Sequence, residues 1–129
     1  MEWQFRNDIP IYTQLVEQIK QRIVSGVFTP GQRLPAVREF ALDAGVNPNT
    51  MQRALAELER DGLVHSQRTS GRFVTENAAL IQQLREELAR QQLQQLFRSM
   101  TELGYKRDEI IQLVNRMGTE EEQYGDTGM

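Results

Sequence analysis

Four neighbouring side chains form the densest cluster of hydrogen-bonding groups in this sequence. Asn49, Thr50, Gln52 and Arg53 fall within two turns of one predicted helix. Amide and guanidinium groups form paired hydrogen bonds with base edges in the major groove of DNA, Asn and Gln with adenine and Arg with guanine. The cluster therefore predicts a nucleic-acid contact at the start of this helix.

The helix that carries the cluster is the second of a pair. Apolar residues at i, i+3, i+4 and i+7 predict both helices: Val37, Phe40, Ala41 and Ala44 in the first, and Met51, Ala54, Leu55 and Leu58 in the second. Between them, Gly45 suits a helix end, Asn47 suits an N-cap and Pro48 suits a first helical position. The pattern indicates a helix-turn-helix whose second helix presents its first turns to a major groove. A plain helical hairpin in a core is the alternative.

A β-hairpin is predicted directly after the helix pair. Asp61-Gly62 is a turn signal, and two β-prone pieces, residues 63–66 and 71–74, enclose the polar tip Gln67, Arg68, Thr69 and Ser70. A helix-turn-helix followed by such a hairpin makes a winged helix. Arg68 and Arg72 can then follow a phosphate backbone or enter a minor groove.

The region before the helix pair is expected to support it. A helix is predicted from Pro10 to about Ser25, with a buried stripe at four-residue spacing formed by Ile11, Leu15, Ile19 and Ile23. The prolines and glycine of residues 27–35 predict a turn and a short extended piece. Ala36 stands where a capping Ser or Thr would be favoured.

Two amphipathic helices separated by Gly104 follow from Glu76. Their stripe is too apolar to leave in water, and the sequence predicts that it forms a homodimer interface. The residues expected in that interface are Leu84, Leu88, Leu93, Leu96, Phe97, Met100, Ile110, Leu113 and Val114. Packing of the stripe on the winged helix of the same chain is the alternative.

The predicted fold class is mostly α with a small β-hairpin. Residues 1–76 are expected to form a winged helix-turn-helix, residues 77–117 a helical dimerisation region, and residues 118–129 an acidic disordered tail.

Composition narrows the function classes. The net charge is −3, but Glu120, Glu121 and Glu122 lie in a terminal segment with no basic residue, away from the arginines of the central region. There is no cysteine and one histidine, His65, and neither a glycine-rich phosphate loop nor a paired-carboxylate pocket is evident. We therefore expect no enzyme, no cofactor and no metal site. The absence of a long apolar run predicts a soluble, cytoplasmic protein with no membrane contact.

Residues 9–76 resemble the N-terminal domain of the GntR family of bacterial transcription regulators. The elements LPAVREFA, GVNPNT and LERDGLV occur in the order and at the distances of that family, and ELGYKRDEIIQLV is similar to the YtrA subfamily. The resemblance implies DNA contacts from Arg38, Asn49, Thr50 and Gln52, and from Arg68 and Thr69 at the wing tip, with Gly71 holding the hairpin. Many members have Arg where this chain has Pro48 and Gln52, so their operator sequence cannot be carried over. Because Asn and Gln suit adenine edges, the expected half-site contains A·T pairs.

The functional expectation is a homodimer that binds double-stranded DNA at a palindromic operator, most simply as a repressor. Membership of the YtrA subfamily would imply control of a transporter operon. A small-molecule effector would have to bind at the dimer interface or between the winged helix and the C-terminal helices. The alternative is a winged-helix adaptor that binds protein and has lost DNA contact, which the isoelectric point of about 5.2 favours.

Overall fold

The computed structural model of the chain describes residues 1–123. Over these residues the chain forms five α-helices and two strands, and the mostly α fold class with one hairpin is confirmed. In order they are α1 (Ile11–Val24), α2 (Val37–Ala44), α3 (Pro48–Arg60), β1 (Val64–Gln67), β2 (Gly71–Val74), α4 (Ala78–Glu102) and α5 (Arg107–Gln123). The chain divides into two compact units, and the second begins at Ala89.

The core of the first unit lies between α1, α2 and α3. The predicted stripes meet there, and Leu15, Ile19, Phe40, Met51 and Leu55 are each no more than 1% exposed. Burying one such side chain stabilises the fold by roughly 1.5–3 kcal/mol. This shared core fixes the orientation of α3, so that only its polar side remains outside.

The turn between α2 and α3 has the predicted geometry. Gly45 has φ +72, and the N–H of Val46 donates to the carbonyl of Ala41 at 3.0 Å. The side chain of Asn47 accepts a 2.7 Å hydrogen bond from the N–H of Asn49, and Pro48 is the first residue of α3. Ala36, as expected, supplies no side-chain cap to α2.

The hairpin is antiparallel, with Val64 opposite Val74 and Gln67 opposite Gly71. Its second strand also pairs on its other edge with the connection between α1 and α2. There the N–H of Leu34 donates to Arg72 O at 2.9 Å, and the N–H of Val74 donates to Gln32 O at 2.9 Å. The wing is therefore joined to the helices by a third extended segment.

The residues before α1 pack on the helix pair. The ring of Trp3 meets that of Phe40 edge to face, and its Nε1 donates to Asp43 Oδ2 at 2.9 Å. The guanidinium of Arg22 stacks 3.9 Å from the Trp3 ring centroid. Partial burial in this contact lowers the pKa of Arg22 from its ordinary value. The N-terminal residues thus link α1 to the end of α2.

The prediction that Leu84 faces a second subunit is wrong, whereas Leu88 is half-buried and keeps part of its surface. Leu84 is 6% exposed and belongs with Ile81 to the core of the winged helix, and Leu88 packs against the same core. The alternative of packing within the chain therefore holds for this first part of α4. Asn77 caps the helix by accepting from the N–H of Leu80 at 3.1 Å.

The second unit contains the rest of α4 and α5, separated by Gly104 at φ +97. The predicted interface residue Ile110 is only 1% exposed within the single chain, so it has no surface to offer a partner. The predicted acidic tail from residue 118 is also wrong at its start, because α5 continues through Gly118 to Gln123. Residues 124–129 lie outside the described residues.

Candidate nucleic-acid interface

The side chains at the start of α3 are presented outside the core. Asn49, Gln52 and Arg53 are exposed and Thr50 is half-buried, whereas Met51 between them is fully buried. The positive end of the helix dipole and free amide and guanidinium donors coincide at this point. The predicted cluster is thus brought together on one turn and a half of helix.

Arg53 is held by α1. Its guanidinium lies over the ring of Tyr12, 3.7 Å from the centroid, which is a cation–π contact. Among the described residues Arg53 forms no ion pair, with Glu57 or with any other carboxylate. The contact limits the directions in which this cation can point.

Arg38 lies in the first turn of α2 and is exposed. Because Ala36 supplies no side-chain cap, the N–H groups at the start of α2 have no side-chain partner next to this arginine. Unoccupied helix N–H groups beside a guanidinium suit a phosphate oxygen.

The wing tip carries Arg68 and Thr69, both exposed. Gly71 begins β2 with φ +105, and a Cβ at this position would lie 3.2 Å from Nε of Arg33. The positive φ favours glycine at this position, and an added Cβ would also press against the side chain of Arg33. The role predicted for Gly71 in the hairpin has this physical basis.

Arg72 has a partner within the protein. Its Nε donates to Oε1 of Glu59 at 2.8 Å, and the hydroxyl of Ser66 donates to the other carboxylate oxygen at 2.9 Å. The hydrogen bond from Arg72 holds the pKa of Glu59 below its ordinary value. The guanidinium that the sequence assigned to DNA therefore also fastens the wing to the end of α3.

Arg33 is a candidate that the sequence analysis missed. It is exposed, lies across Gly71 and forms no ion pair among the described residues. Its position depends on the bridge between Arg33 and Phe73, which joins residues forty apart. No local sequence signal predicts that pairing. From the sequence, Arg33 is only a basic residue in a proline-rich connection, and its position beside the hairpin could not be predicted.

The described residues contain no group of three His, Asp or Glu side chains that could hold a metal ion, and none of their helices is long and apolar enough to cross a membrane. The exposed polar start of α3, its supporting helices and the braced hairpin define a winged helix-turn-helix of the DNA-binding type.

Comparison with known proteins identifies the family. The profile described as "Bacterial regulatory proteins, gntR family" matches residues 11–74. The HTH-type transcriptional regulator YhcF of Bacillus subtilis is 40% identical over 87% of this chain and 93% of its own length. The chain belongs to the GntR family, as its motifs predict.

Two further relatives place the chain within the family. The HTH-type transcriptional repressor YtrA of Bacillus subtilis is 42% identical over 57% of this chain and 56% of its own length. A solved GntR family transcriptional regulator from Listeria monocytogenes is 38% identical, covers 87% of this chain and 98% of its own, and superposes with a TM-score of 0.79. The similarity to YtrA-type regulators is confirmed, and these relatives are transcriptional regulators rather than enzymes.

Proposed function

We propose that this protein is a homodimeric repressor that binds a palindromic operator in double-stranded DNA. The observation that carries the proposal is the exposed cluster of Asn49, Gln52 and Arg53 at the start of a helix whose other side is fully buried. Membership of a family of DNA-binding regulators supports the target, and the name of the relative YtrA supports repression. Its DNA target places the protein in the cytoplasm.

The dimer is proposed from the apolar surface of the second unit. Leu93 and Val114 are each 53% exposed and Leu96 is 39% exposed, and Ile111 and Met117 add further apolar area. With Phe97, Met100 and Leu113, which are half-buried, we take them as one apolar patch that water solvates poorly. A second copy of the chain would cover the patch by isologous pairing. Leu84 and Ile110 are excluded because each is already buried within its own chain.

A two-fold dimer dictates a two-fold operator. Its recognition helices would enter major grooves one or two DNA turns apart, one turn being about 34 Å. Phosphate contacts from Arg38, Arg68 and Thr69 would fix the register, while Asn49 and Gln52 read bases. Because amide side chains pair best with adenine, we propose A·T pairs in each half-site. Bound over a promoter, the dimer would exclude RNA polymerase.

The test is selection of bound duplexes from a random pool, followed by titration of the best sequence at two salt concentrations. We expect a palindrome whose affinity falls steeply with salt, because the bound arginines displace counterions from phosphates. Gln52→Ala should relax base preference within the half-site. Arg68→Ala should instead weaken binding to all DNA sequences by the same factor. Failure of a folded dimer to enrich any sequence, or enrichment of an asymmetric single site, would contradict the proposal.

A further inference from the structure

The residues before α1 form an N-terminal strap, residues 1–9, that lies along α1 in the opposite direction. Three polar side chains of α1, spaced four residues apart and therefore on one face, donate to backbone carbonyls of the strap. The pairs, donor first, are Gln14 with Arg6 and Ile9, Gln18 with Gln4, and Arg22 with Glu2. The strap is thus held along about two turns of α1.

The lower end of the strap is fixed to the start of α1 by Gln14, which is only 9% exposed. Its Nε2 donates to Arg6 O and Ile9 O, each at 2.8 Å, and its Oε1 accepts from the N–H of Arg6 at 2.8 Å. Two residues before Gln14, the ring of Tyr12 lies under the guanidinium of Arg53 on α3. The strap therefore restrains the part of α1 that contacts the recognition helix.

The other end of the strap is joined to the end of α2 by Trp3. This side chain is half-buried, its ring meets that of Phe40 edge to face with centroids 5.7 Å apart, and its Nε1 donates to Asp43 Oδ2 at 2.9 Å. Asp43 lies two residues before Gly45, whose positive φ ends α2 and begins the turn into α3. Trp3 is thus attached directly beside the turn that places the first residues of α3.

We propose that the strap positions the first turns of α3 for base recognition, with Trp3 acting through Asp43 as a positioning residue. One continuous segment binds both neighbours of that part of α3, the start of α1 and the end of α2. Because the two helices cannot then move independently, Asn49 and Gln52 lose less conformational entropy when they bind DNA. The role in base recognition rests on the proposed function, whereas the restraint on the turn does not.

Asp43→Ala removes the acceptor of the Trp3 N–H from a side chain that is 44% exposed, so the variant should fold. We expect its affinity for the operator, measured by fluorescence anisotropy, to fall about fivefold, the effect of losing one modest hydrogen bond. Affinity for an unrelated duplex depends mainly on phosphate charges and should stay within about twofold. A general loss of stability would instead lower both affinities by the same factor.

Three further variants identify the hydrogen bond as the cause. Trp3→Phe keeps an aromatic ring without the N–H and should behave like Asp43→Ala, and the double variant should lose no more affinity than either single one. Asp43→Asn keeps an acceptor oxygen but removes the charge that lies 3.9 Å from the amino group of Met1, and it should bind like the parent chain. Glu86→Ala removes the same charge from an exposed position of α4 and is the matched control.

Amide hydrogen exchange without DNA tests the restraint separately. The N–H groups of Gly45 and Val46, which donate to Leu42 O at 3.2 Å and Ala41 O at 3.0 Å, should exchange about fivefold faster in Asp43→Ala. Unchanged exchange, equal losses of affinity for the two duplexes, or equal losses in Asp43→Ala and Asp43→Asn would overturn the proposal. A parent chain that binds no operator would refute the proposed function and with it the role in base recognition, and the exchange rates would still decide whether the strap restrains the turn.

Discussion

The guanidinium of Arg53 on the recognition helix lies 3.7 Å from the ring centroid of Tyr12 on α1. These residues belong to different helices and are 41 positions apart, so the contact exists only because the two helices share a core. An exposed arginine ordinarily samples many rotamers, and a ring beneath it reduces that freedom before any ligand arrives. Tyr12 therefore acts as a positioning residue for Arg53.

We expect Tyr12→Ala to weaken operator binding by about two- to fivefold, which corresponds to the 0.5–1 kcal/mol of an exposed cation–π contact. Tyr12→Phe retains the ring and should bind like the parent chain. Fluorescence anisotropy with the selected operator measures both variants, and circular dichroism checks that they are folded. Equal losses in the two variants would show that the hydroxyl, and not the ring, is responsible.

Arg33→Ala tests the cation that lies across Gly71. If Arg33 contacts a phosphate, its loss should lower the affinity for all duplexes alike. It should also reduce the magnitude of the slope of log affinity against log salt concentration by about 1. Arg116→Ala removes one positive charge from the second unit and is the control. An unchanged slope in Arg33→Ala would show that Arg33 does not contact a phosphate and only supports the wing.

Glu59→Gln tests the brace between α3 and the wing. Since the pKa of Glu59 is depressed in the folded protein, its carboxylate stabilises the fold above its ordinary pKa of 4.5, and this stabilisation is lost as pH falls through the lower folded value. The variant should therefore be less stable than the parent by up to about 1 kcal/mol at pH 7, with a smaller difference at more acidic pH. Urea unfolding at several pH values measures this difference. A difference independent of pH would exclude the charge as its cause.

Val114→Glu tests the dimer surface. Placing a carboxylate on a residue that is 53% exposed leaves the single chain folded but puts an unpaired charge into the proposed interface. We expect dissociation into monomers in analytical ultracentrifugation. Leu42→Glu alters an apolar residue that is 83% exposed on α2, and this control should remain dimeric. Dimers in both variants would place the interface elsewhere.

Gly118→Ala tests the extent of α5. No atom lies within 4 Å of the added Cβ, so alanine should stabilise the helix by about 0.5–1 kcal/mol relative to glycine. Gly104→Ala is the opposite control, because its φ of +97 makes any side chain strained. The thermal unfolding temperature and the magnitude of the helical ellipticity should increase in Gly118→Ala and decrease in Gly104→Ala. No change in either quantity in Gly118→Ala would contradict a helix through residues 118–123 and favour the predicted tail.

The parts of the fold that could be predicted depend on short-range signals. The glycine, asparagine and proline at positions 45, 47 and 48 each prefer one backbone role, and together they define the turn without knowledge of any distant residue. The exposed face of α3 could be predicted from its helical periodicity, because residues that are not in the buried stripe must face outward. The exposure of these polar side chains could therefore be predicted, while their contact with DNA stays a prediction.

The errors have physical causes as well. Helical periodicity shows that Leu84 and Leu88 need an apolar partner. It does not show whether that partner belongs to the same chain or to another copy. Gly118 is a helix breaker by propensity, at a cost of only about 1 kcal/mol that the surrounding helix tolerates. The partners of Arg53, Arg72 and Arg33 lie in other elements, and packing alone brings them together.

The extended segment of residues 31–34 bonds to β2 only at Arg72 and Val74, at the root of the wing. The tip, closed by a 3.0 Å hydrogen bond from the N–H of Ser70 to Gln67 O, has no share in that attachment. Insertions or deletions between Gln67 and Gly71 would therefore leave the helices, the core and the root unchanged. The length of this loop is a feature that evolution can vary independently, and with it the distance that the hairpin tip extends from the helices.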